Sequence, residues 1–222
     1  MKSNKSDVLV FIPAYNEEDN IGRVIDSFKD LDVDILVVDD GSSDLTLDLS
    51  KKKGALVISH PKNLGYEAAL SSGFRVAYDK GYKYAVSFDA DGQMSPNDVI
   101  CFKNTAEELD SDLVLGIRSY RNRISEYLLS AYGKFRFKIR DPLCGMKLYR
   151  MNSCKNLIPF DSRNLVGMEM AFKMCDHSLK VSEIPIIIEK RKGESRYGSF
   201  IRGEINIILS LYKSIIYFGL FK

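Results

Sequence analysis

Asp89 and Asp91 stand at the end of the apolar run Tyr84–Phe88, with only Ala90 between them. Two carboxylates leaving a strand side by side make a hard, all-oxygen site. Such a site suits Mg²⁺ or Mn²⁺ that keeps coordination positions open for substrate phosphates. The competing reading is a solvated turn, because Asp91-Gly92 is also a common turn dipeptide. Three other segments carry polar groups at comparable places. Pro13-Ala14-Tyr15-Asn16-Glu17-Glu18 offers Tyr15 as a flat face for a nucleobase, and Asn16 and Glu17 as polar atoms for base or ribose edges. Equally, Asn16 could cap the next helix and Tyr15 could simply pack. In Val38-Asp39-Asp40-Gly41-Ser42, Asp39 and Asp40 are both expected to face one crevice, since ligands of open α/β sheets bind beyond the carboxyl ends of strands. Asn63-Leu64-Gly65 opens a further helix, where Gly65 allows close backbone approach.

Short apolar runs alternating with helical patterns position these groups, and they predict an α/β fold with a mainly parallel sheet. Val8–Ile12 is a continuous β-branched run ended by Pro13, as expected of a buried strand. Glu17–Phe28 places Ile21, Val24, Ile25 and Phe28 on one helical face. Ile35–Val38 is the second strand, followed by a helix capped by a serine and running to Lys53, with Gly54 past its end. Ala55–Ile58, Tyr84–Phe88 and Leu113–Ile117 read as strands, and Glu67–Lys80 and Pro96–Leu109 as helices. Ile184–Ile188, interrupted by Pro185, reads as an edge strand.

With 222 residues, 45% hydrophobic and 28% charged, the chain suits one large domain. Its net charge of +2 says little, but its distribution says more. Between Arg118 and Arg140 there are seven Lys or Arg and one acid, Glu126. That excess fits either a surface for phosphates and anionic headgroups or a solvated basic face. Cys101, Cys144, Cys154 and Cys175 have no zinc-like spacing and read as reduced, mostly buried thiols of a cytosolic protein. His60 and His177 are isolated and read as structural or exposed. The opening MKSNKSDVLVFIPAYN lacks the signature of a signal peptide. No stretch reaches the roughly 18–20 apolar residues of a membrane span. From Gly203 onward Ile201, Ile205, Ile208, Tyr212, Ile215 and Gly219 form a seam, interrupted elsewhere by Asn206, Ser210, Lys213 and Ser214. Such a helix could lie in a membrane interface, join two copies of the chain, or pack on the domain.

PAYNEEDNI, VVDDGSSD, NLGYEAALSSGF and DADGQ, in this order and spacing, resemble the inverting family 2 glycosyltransferases, and most closely the dolichol-phosphate mannose/glucose synthase-like branch. The likeness runs from about Val8 to Gly198. It implies a GT-A fold over residues 1–199, with 200–222 a C-terminal helix of the same unit. It also implies a UDP- or GDP-hexose donor, a divalent metal (Mg²⁺ or Mn²⁺) and a lipid-phosphate acceptor, with no nucleic-acid partner. By this resemblance Pro13, Tyr15, Asn16, Glu17, Val38, Asp40, Asn63 and Gly65 would hold the nucleotide sugar. Asp89, Ala90 and Asp91 would form the DxD motif, with Asp89, Asp91 and Gln93 at the metal. Leu115-Gly116-Ile117-Arg118 resembles the family's Gly-Ser-Arg segment, Ile117 replacing Ser, and implies that Arg118 binds phosphate. Asp141-Pro-Leu-Cys-Gly-Met-Lys147 matches a segment near the acceptor, and Gly167-Met-Glu169-Met one near the reacting centre. Arg191 to Arg196 resembles a late basic loop that closes over the pyrophosphate, although the family often has Arg where Lys190 or Lys192 falls and Lys where Arg196 falls.

Displacing a nucleoside diphosphate from a sugar C1 builds negative charge on the pyrophosphate, which a metal at Asp89 and Asp91 and the cations Arg118, Arg191 and Arg196 would offset. A hydroxyl acceptor needs a general base, for which Asp141 and Glu169 are the candidates. A lipid monophosphate, with a second pKa near ~6, needs none. The basic stretch and the apolar C-terminus favour the lipid phosphate, and with it a peripheral place on the cytoplasmic face of a membrane. Transfer to a glycan or protein hydroxyl is the alternative, and a catalytically inactive nucleotide-sugar-binding module a further one. A processive synthase would carry Gln-x-x-Arg-Trp, and the chain has no Trp. A nucleotidyltransferase would open with a Gly-rich loop, and a dinucleotide-binding dehydrogenase with GxGxxG after strand one.

Overall fold

The computed structural model describes residues 6–157, 160, 163–189 and 200–220. Its sheet contains β1 (Val8–Ala14), β2 (Asp34–Asp39), β3 (Leu56–Ser59), β4 (Tyr84–Ser87), β5 (Leu113–Arg118), β6 (Lys147–Arg150) and β7 (Val181–Ile186). The strand order is β3-β2-β1-β4-β6-β5-β7. Every pairing is parallel except those of β6, which runs against both β4 and β5. The mainly parallel α/β arrangement predicted from the alternating runs is therefore present.

Both faces of this sheet are covered, and the strands alternate between two cores. Leu9 and Phe11 of β1, Ala85 of β4 and Leu113 and Leu115 of β5 face one core. Val8, Val10 and Ile12, Val86, and Val114 of the same strands face the other. The period of two explains why the strands read as unbroken apolar runs. Helices α3 (Tyr66–Asp79), α5 (Ile124–Phe137), α6 (Glu169–Asp176) and α7 (Phe200–Phe218) contribute to the first core; α1 (Glu18–Asp26) and α4 (Asn97–Glu108) contribute to the second. The short α2 (Thr46–Lys52) packs beside α1 and β3.

Several boundaries differ from the sequence reading for identifiable reasons. No serine caps α2; Asp44 Oδ1 accepts the Thr46 N–H at 2.9 Å, while Ser42 and Ser43 turn toward Asn16. Asn16 does not cap α1 either: its Oδ1 accepts the Ser43 N–H at 2.9 Å. β7 begins three residues before Ile184, and Pro185 sits within it. It pairs only with β5, so β7 is the edge strand that proline permits. The expectation of mostly buried thiols is only half met, since Cys144 and Cys154 are buried, Cys175 is partly covered and Cys101 is exposed.

The C-terminal helix leaves most of its apolar seam uncovered. Ile201, Ile205, Ile208 and Tyr212 of the seam are exposed, Ile215 packs partly buried against the first core, and Ser210 and Ser214 are buried. Those serines return their hydroxyl hydrogens to the carbonyls of Asn206 (2.9 Å) and Ser210 (2.8 Å), so small polar side chains can face the core without loss. Ile207 and Phe218 complete the buried face of α7. Among the described residues no helix is long and apolar enough to cross a membrane.

Candidate active site

A cleft of about 850 Å³ opens beyond the carboxyl ends of β1, β2 and β4 and runs between the start of α5 and the side of α7. Pro13, Tyr15, Glu17, Asp40, Asn63 and Gly65 line one end, Asp89, Ala90, Asp91 and Gln93 the middle, and Arg118 the far part. Five segments spread over about a hundred residues thus meet because parallel strands deliver their carboxyl ends to the same edge.

At the first end Tyr15 is 38% exposed, an open aromatic face rather than a packed core ring. Asp40 does not project freely. Its carboxylate accepts the N–H groups of Leu64 (2.9 Å) and Gly65 (2.8 Å) and lies 2.6 Å from His60 Nδ1, so it fixes the 63–65 loop against β2. His60 is accordingly a structural link, its Nε2 lying 2.9 Å from Ser72 Oγ. Asp39, expected in the same crevice, points elsewhere and bonds to Ser59 Oγ at 2.7 Å. Adjacent residues on a strand project to opposite faces, so only one of the two could reach the cleft. Val38 lies in the first core and lines no part of it.

In the middle, Tyr66 Oη donates to Asp89 Oδ1 at 3.2 Å, and Asp91 Oδ1 accepts the Gln93 N–H at 3.1 Å. Gln93 in turn donates its side-chain amide to the Glu189 carbonyl at 2.6 Å, tying this loop to the chain after β7. Gly145 has to be glycine: a Cβ there would lie 2.1 Å from Asp89 Oδ2. Burial of the Asp89 carboxylate and the charge of Asp91 push its pKa up to about 6, against the opposing pull of Lys147, Tyr66 and Arg118. Lys147 is itself buried, which lowers its pKa, while Cys144, Asp89 and Asp141 favour its charge. The donor set fits a hard divalent ion. Among the described residues no cluster of three or more His, Cys, Asp or Glu side chains joins the pair, so remaining coordination positions would fall to phosphates and water.

At the far end Arg118 is held from two sides. Its Nε and Nη2 donate to Asp141 at 2.8 and 2.9 Å, its backbone N–H donates to the same carboxylate at 3.0 Å, and Glu126 lies 3.2 Å away. Burial alone would lower the Arg118 pKa; Asp141 and Glu126 outweigh it and raise the value. Asp141 is fully buried, lines no part of the cleft and holds Arg118 through three hydrogen bonds. Glu169 is also fully buried, paired with Arg163 and, at 2.6 Å, with Lys173. Neither of the two carboxylates expected as general bases lines the cleft. The basic stretch is likewise largely consumed internally: Arg136 binds Asp176 and the Phe218 carbonyl, and Arg140 binds Glu183. Arg191 and Arg196 lie outside the described residues.

The cleft also contains residues given no individual role from sequence: Tyr66, Glu67, Glu126 and Lys147, the last named only as the end of the 141–147 segment. It further contains Asn206, Ser210 and Lys213 of α7, first read as mere interruptions. Their spacing of four and then three residues was the available signal for one helical face.

The family 2 glycosyl transferase model matches residues 9–158. The chain belongs to glycosyl transferase family 2. An uncharacterized protein of Methanocaldococcus jannaschii is 31% identical over 198 residues, covering 82% of each chain. The undecaprenyl-phosphate mannosyltransferase of Micrococcus luteus is 28% identical over 222 residues, covering 89% of this chain and 90% of that protein. The solved structure of Mycobacterium tuberculosis glucosyl-3-phosphoglycerate synthase with Mn²⁺, UDP and glucosyl-3-phosphoglycerate aligns with a TM-score of 0.73 at 22% identity, covering 95% of this chain and 81% of that one. This family 2 chain thus has a GT-A-like fold, and within the dolichol-phosphate-sugar synthase-like branch it is a glycosyltransferase.

Proposed function

We propose that the protein is a metal-dependent, inverting hexosyltransferase that moves a sugar from a UDP- or GDP-hexose to a polyprenyl-type lipid phosphate at a membrane surface. The observation that carries this reading is the single cleft joining the Tyr15 platform, the Asp89/Asp91 pair and the clamped Arg118. The relative named as an undecaprenyl-phosphate mannosyltransferase supports the acceptor class, and the structural neighbour solved with Mn²⁺ and UDP supports the donor and metal.

In this reading Tyr15 stacks on the nucleobase, and the 63–65 loop, fixed by Asp40, presents its backbone to the donor. Asp89 and Asp91 hold Mg²⁺ or Mn²⁺, which when bound supplies positive charge against the departing pyrophosphate. Arg118 adds a fixed cation, pre-oriented by Asp141, so it costs no reorganisation during transfer. The acceptor attacks C1 from the face opposite the pyrophosphate, which inverts the anomeric centre. A lipid phosphate is already ionised at neutral pH and needs no general base. That matches a site whose two expected bases, Asp141 and Glu169, are buried and paired. Tyr127 and Leu128 of α5 and Ile205, Ile208, Tyr212 and Ile216 of α7 are exposed on the two helices that flank the cleft. An apolar surface of this kind suits peripheral contact with a bilayer.

Liposomes carrying polyprenyl phosphate, incubated with radiolabelled UDP- and GDP-hexoses and Mn²⁺ or Mg²⁺, should accumulate label in the lipid phase. Label found only on water-soluble glycans or peptides would replace this acceptor with a hydroxyl. Nucleotide binding with neither transfer nor hydrolysis would leave a binding module.

A further inference from the structure

Glu67 opens α3 and lines the cleft beside Tyr66, the residue that donates to Asp89. The other carboxylates of the cleft have assigned partners. Asp40 holds the 63–65 loop, Glu17 accepts from Asn20 at 2.8 Å, and Glu126 faces Arg118 and Arg123. Glu67 differs. Its Oε1 accepts the Val166 N–H at 3.2 Å, and no other hydrogen bond or ion pair to it occurs among the described residues.

The partner of that bond is unusual. Val166 has φ +52°, a left-handed conformation that a β-branched residue rarely adopts, and Asn164 (φ +55°) and Gly167 (φ +69°) share it. Gly167 packs so closely on α3 that a Cβ there would lie 2.7 Å from Leu70 Cδ1. The 164–167 segment is thus folded tightly against the start of α3, and Asn164 and Val166 line the same cleft as Asp89 and Asp91. Backbone strain of this kind is kept where it serves a site.

Resting on the nucleotide-sugar reading above, we propose that Glu67 is a specificity-determining contact for the donor's hexose. Oε1 stays on Val166 N–H, which fixes the carboxylate, and Oε2 accepts from a sugar hydroxyl. An ionised carboxylate is acceptor-only, so it selects a hydroxyl donor at that position. A site built to bond a hydroxyl discriminates strongly against the analogue lacking it, because its own polar atom is left without a partner.

The test uses the full chain with Mn²⁺ and measures affinities for UDP, GDP, UDP-glucose and GDP-mannose, then for deoxy analogues of whichever sugar nucleotide binds. Glu67→Gln preserves an acceptor for Val166 N–H but removes the charge. It should bind the free nucleoside diphosphate as the wild type does, while losing about 10- to 100-fold in affinity for the sugar nucleotide. One deoxy analogue should bind the wild type weakly and bind Glu67→Gln no worse than the parent sugar does. Parallel loss of diphosphate and sugar-nucleotide binding would make Glu67 a structural residue and overturn the proposal. So would an unchanged preference for the hexose, or lost turnover with sugar binding intact. Failure of the wild type to bind any nucleotide would instead overturn the donor reading and this inference with it.

Discussion

The two ends of the cleft are built differently. The proposed nucleoside end is made from short segments at strand ends: Tyr15 and Glu17 follow β1, Asp40 follows β2, and the 63–65 loop leads into α3. Its cross-links are short loop-to-loop bonds, such as Asn16 with Ser42 and Ser43, or Asp40 with Leu64 and Gly65. The proposed transfer end adds links across much longer sequence separations. Asp141 clamps Arg118 over a span like those of the other end, but Glu67 holds Val166 from 99 residues away, and Glu204 of α7 accepts the Ser125 N–H at the start of α5 at 3.0 Å from 79 residues away. Binding a common cofactor-like donor asks for a local, repeatable frame; choosing a sugar and an acceptor asks for parts that can vary independently.

Substitutions should separate the two ends. The largest effect is expected where they meet: Asp91→Asn should reduce transfer by about 10³-fold, measured as initial rate at saturating Mn²⁺, by removing a charge that holds the ion against the pyrophosphate. Next, Asp141→Asn strips a buried arginine of its partner. Denaturant unfolding should show about 3 kcal/mol lost, and transfer should fall about 100-fold, with a clearly smaller loss in Mn²⁺-dependent UDP or GDP binding. Equal loss of binding and transfer would erase the distinction between the ends.

A pH titration gives a smaller effect. With Asp89 titrating near 6, protons compete with the metal, and Mn²⁺-dependent nucleotide affinity should drop about tenfold from pH 7 to pH 5. For the metal-free protein the folding effect has a definite sign. Between the ordinary value of 3.8 and about 6 the folded chain keeps a proton that the unfolded chain releases. This group therefore favours the folded state below that window, and the contribution is lost as pH rises through 6. Added Mn²⁺ should raise the unfolding midpoint more at pH 7 than at pH 5. The smallest change is expected from Asn16→Ala, at φ +52° and bonded to Ser43: about 1 kcal/mol of stability and a few-fold in nucleotide affinity, with the transfer rate at saturation unchanged.

Legibility in the sequence followed the same division. Tyr15, Asp40, Asp89 and Asp91 were readable because each sits directly after a buried run, where the chain must turn and polar groups must face the edge of the sheet. Asp39 was misplaced although the alternation of a strand could have excluded it. The transfer end was harder. β6 is four residues long, carries Lys147 and Arg150 and shows no continuous apolar pattern; Lys147 is buried with its Nζ on the Cys144 carbonyl and its charge favoured by Asp89 and Asp141, not by its own character. Asp141 looked like a base since sequence shows a carboxylate without its partner; the bond to Arg118 spans 23 residues and exists only once β5 and the 141–145 loop are packed. Glu67 lies inside NLGYEAALSSGF, yet nothing in that segment set it apart from its neighbours. Its importance rests on Val166, 99 residues away.

If Asp89 and Asp91 hold a divalent ion for the donor's pyrophosphate, the metal's effect on nucleotide binding must vanish with the two carboxylates. Calorimetric titration of UDP and GDP into the wild type and into the Asp89→Asn/Asp91→Asn double variant, each with Mn²⁺ and with EDTA, measures this. Tight binding of one nucleotide to the wild type with Mn²⁺ is expected, at least tenfold weaker binding in EDTA, and no effect of Mn²⁺ on the double variant. Equal affinity in all four conditions, or an undiminished Mn²⁺ effect in the double variant, would contradict it.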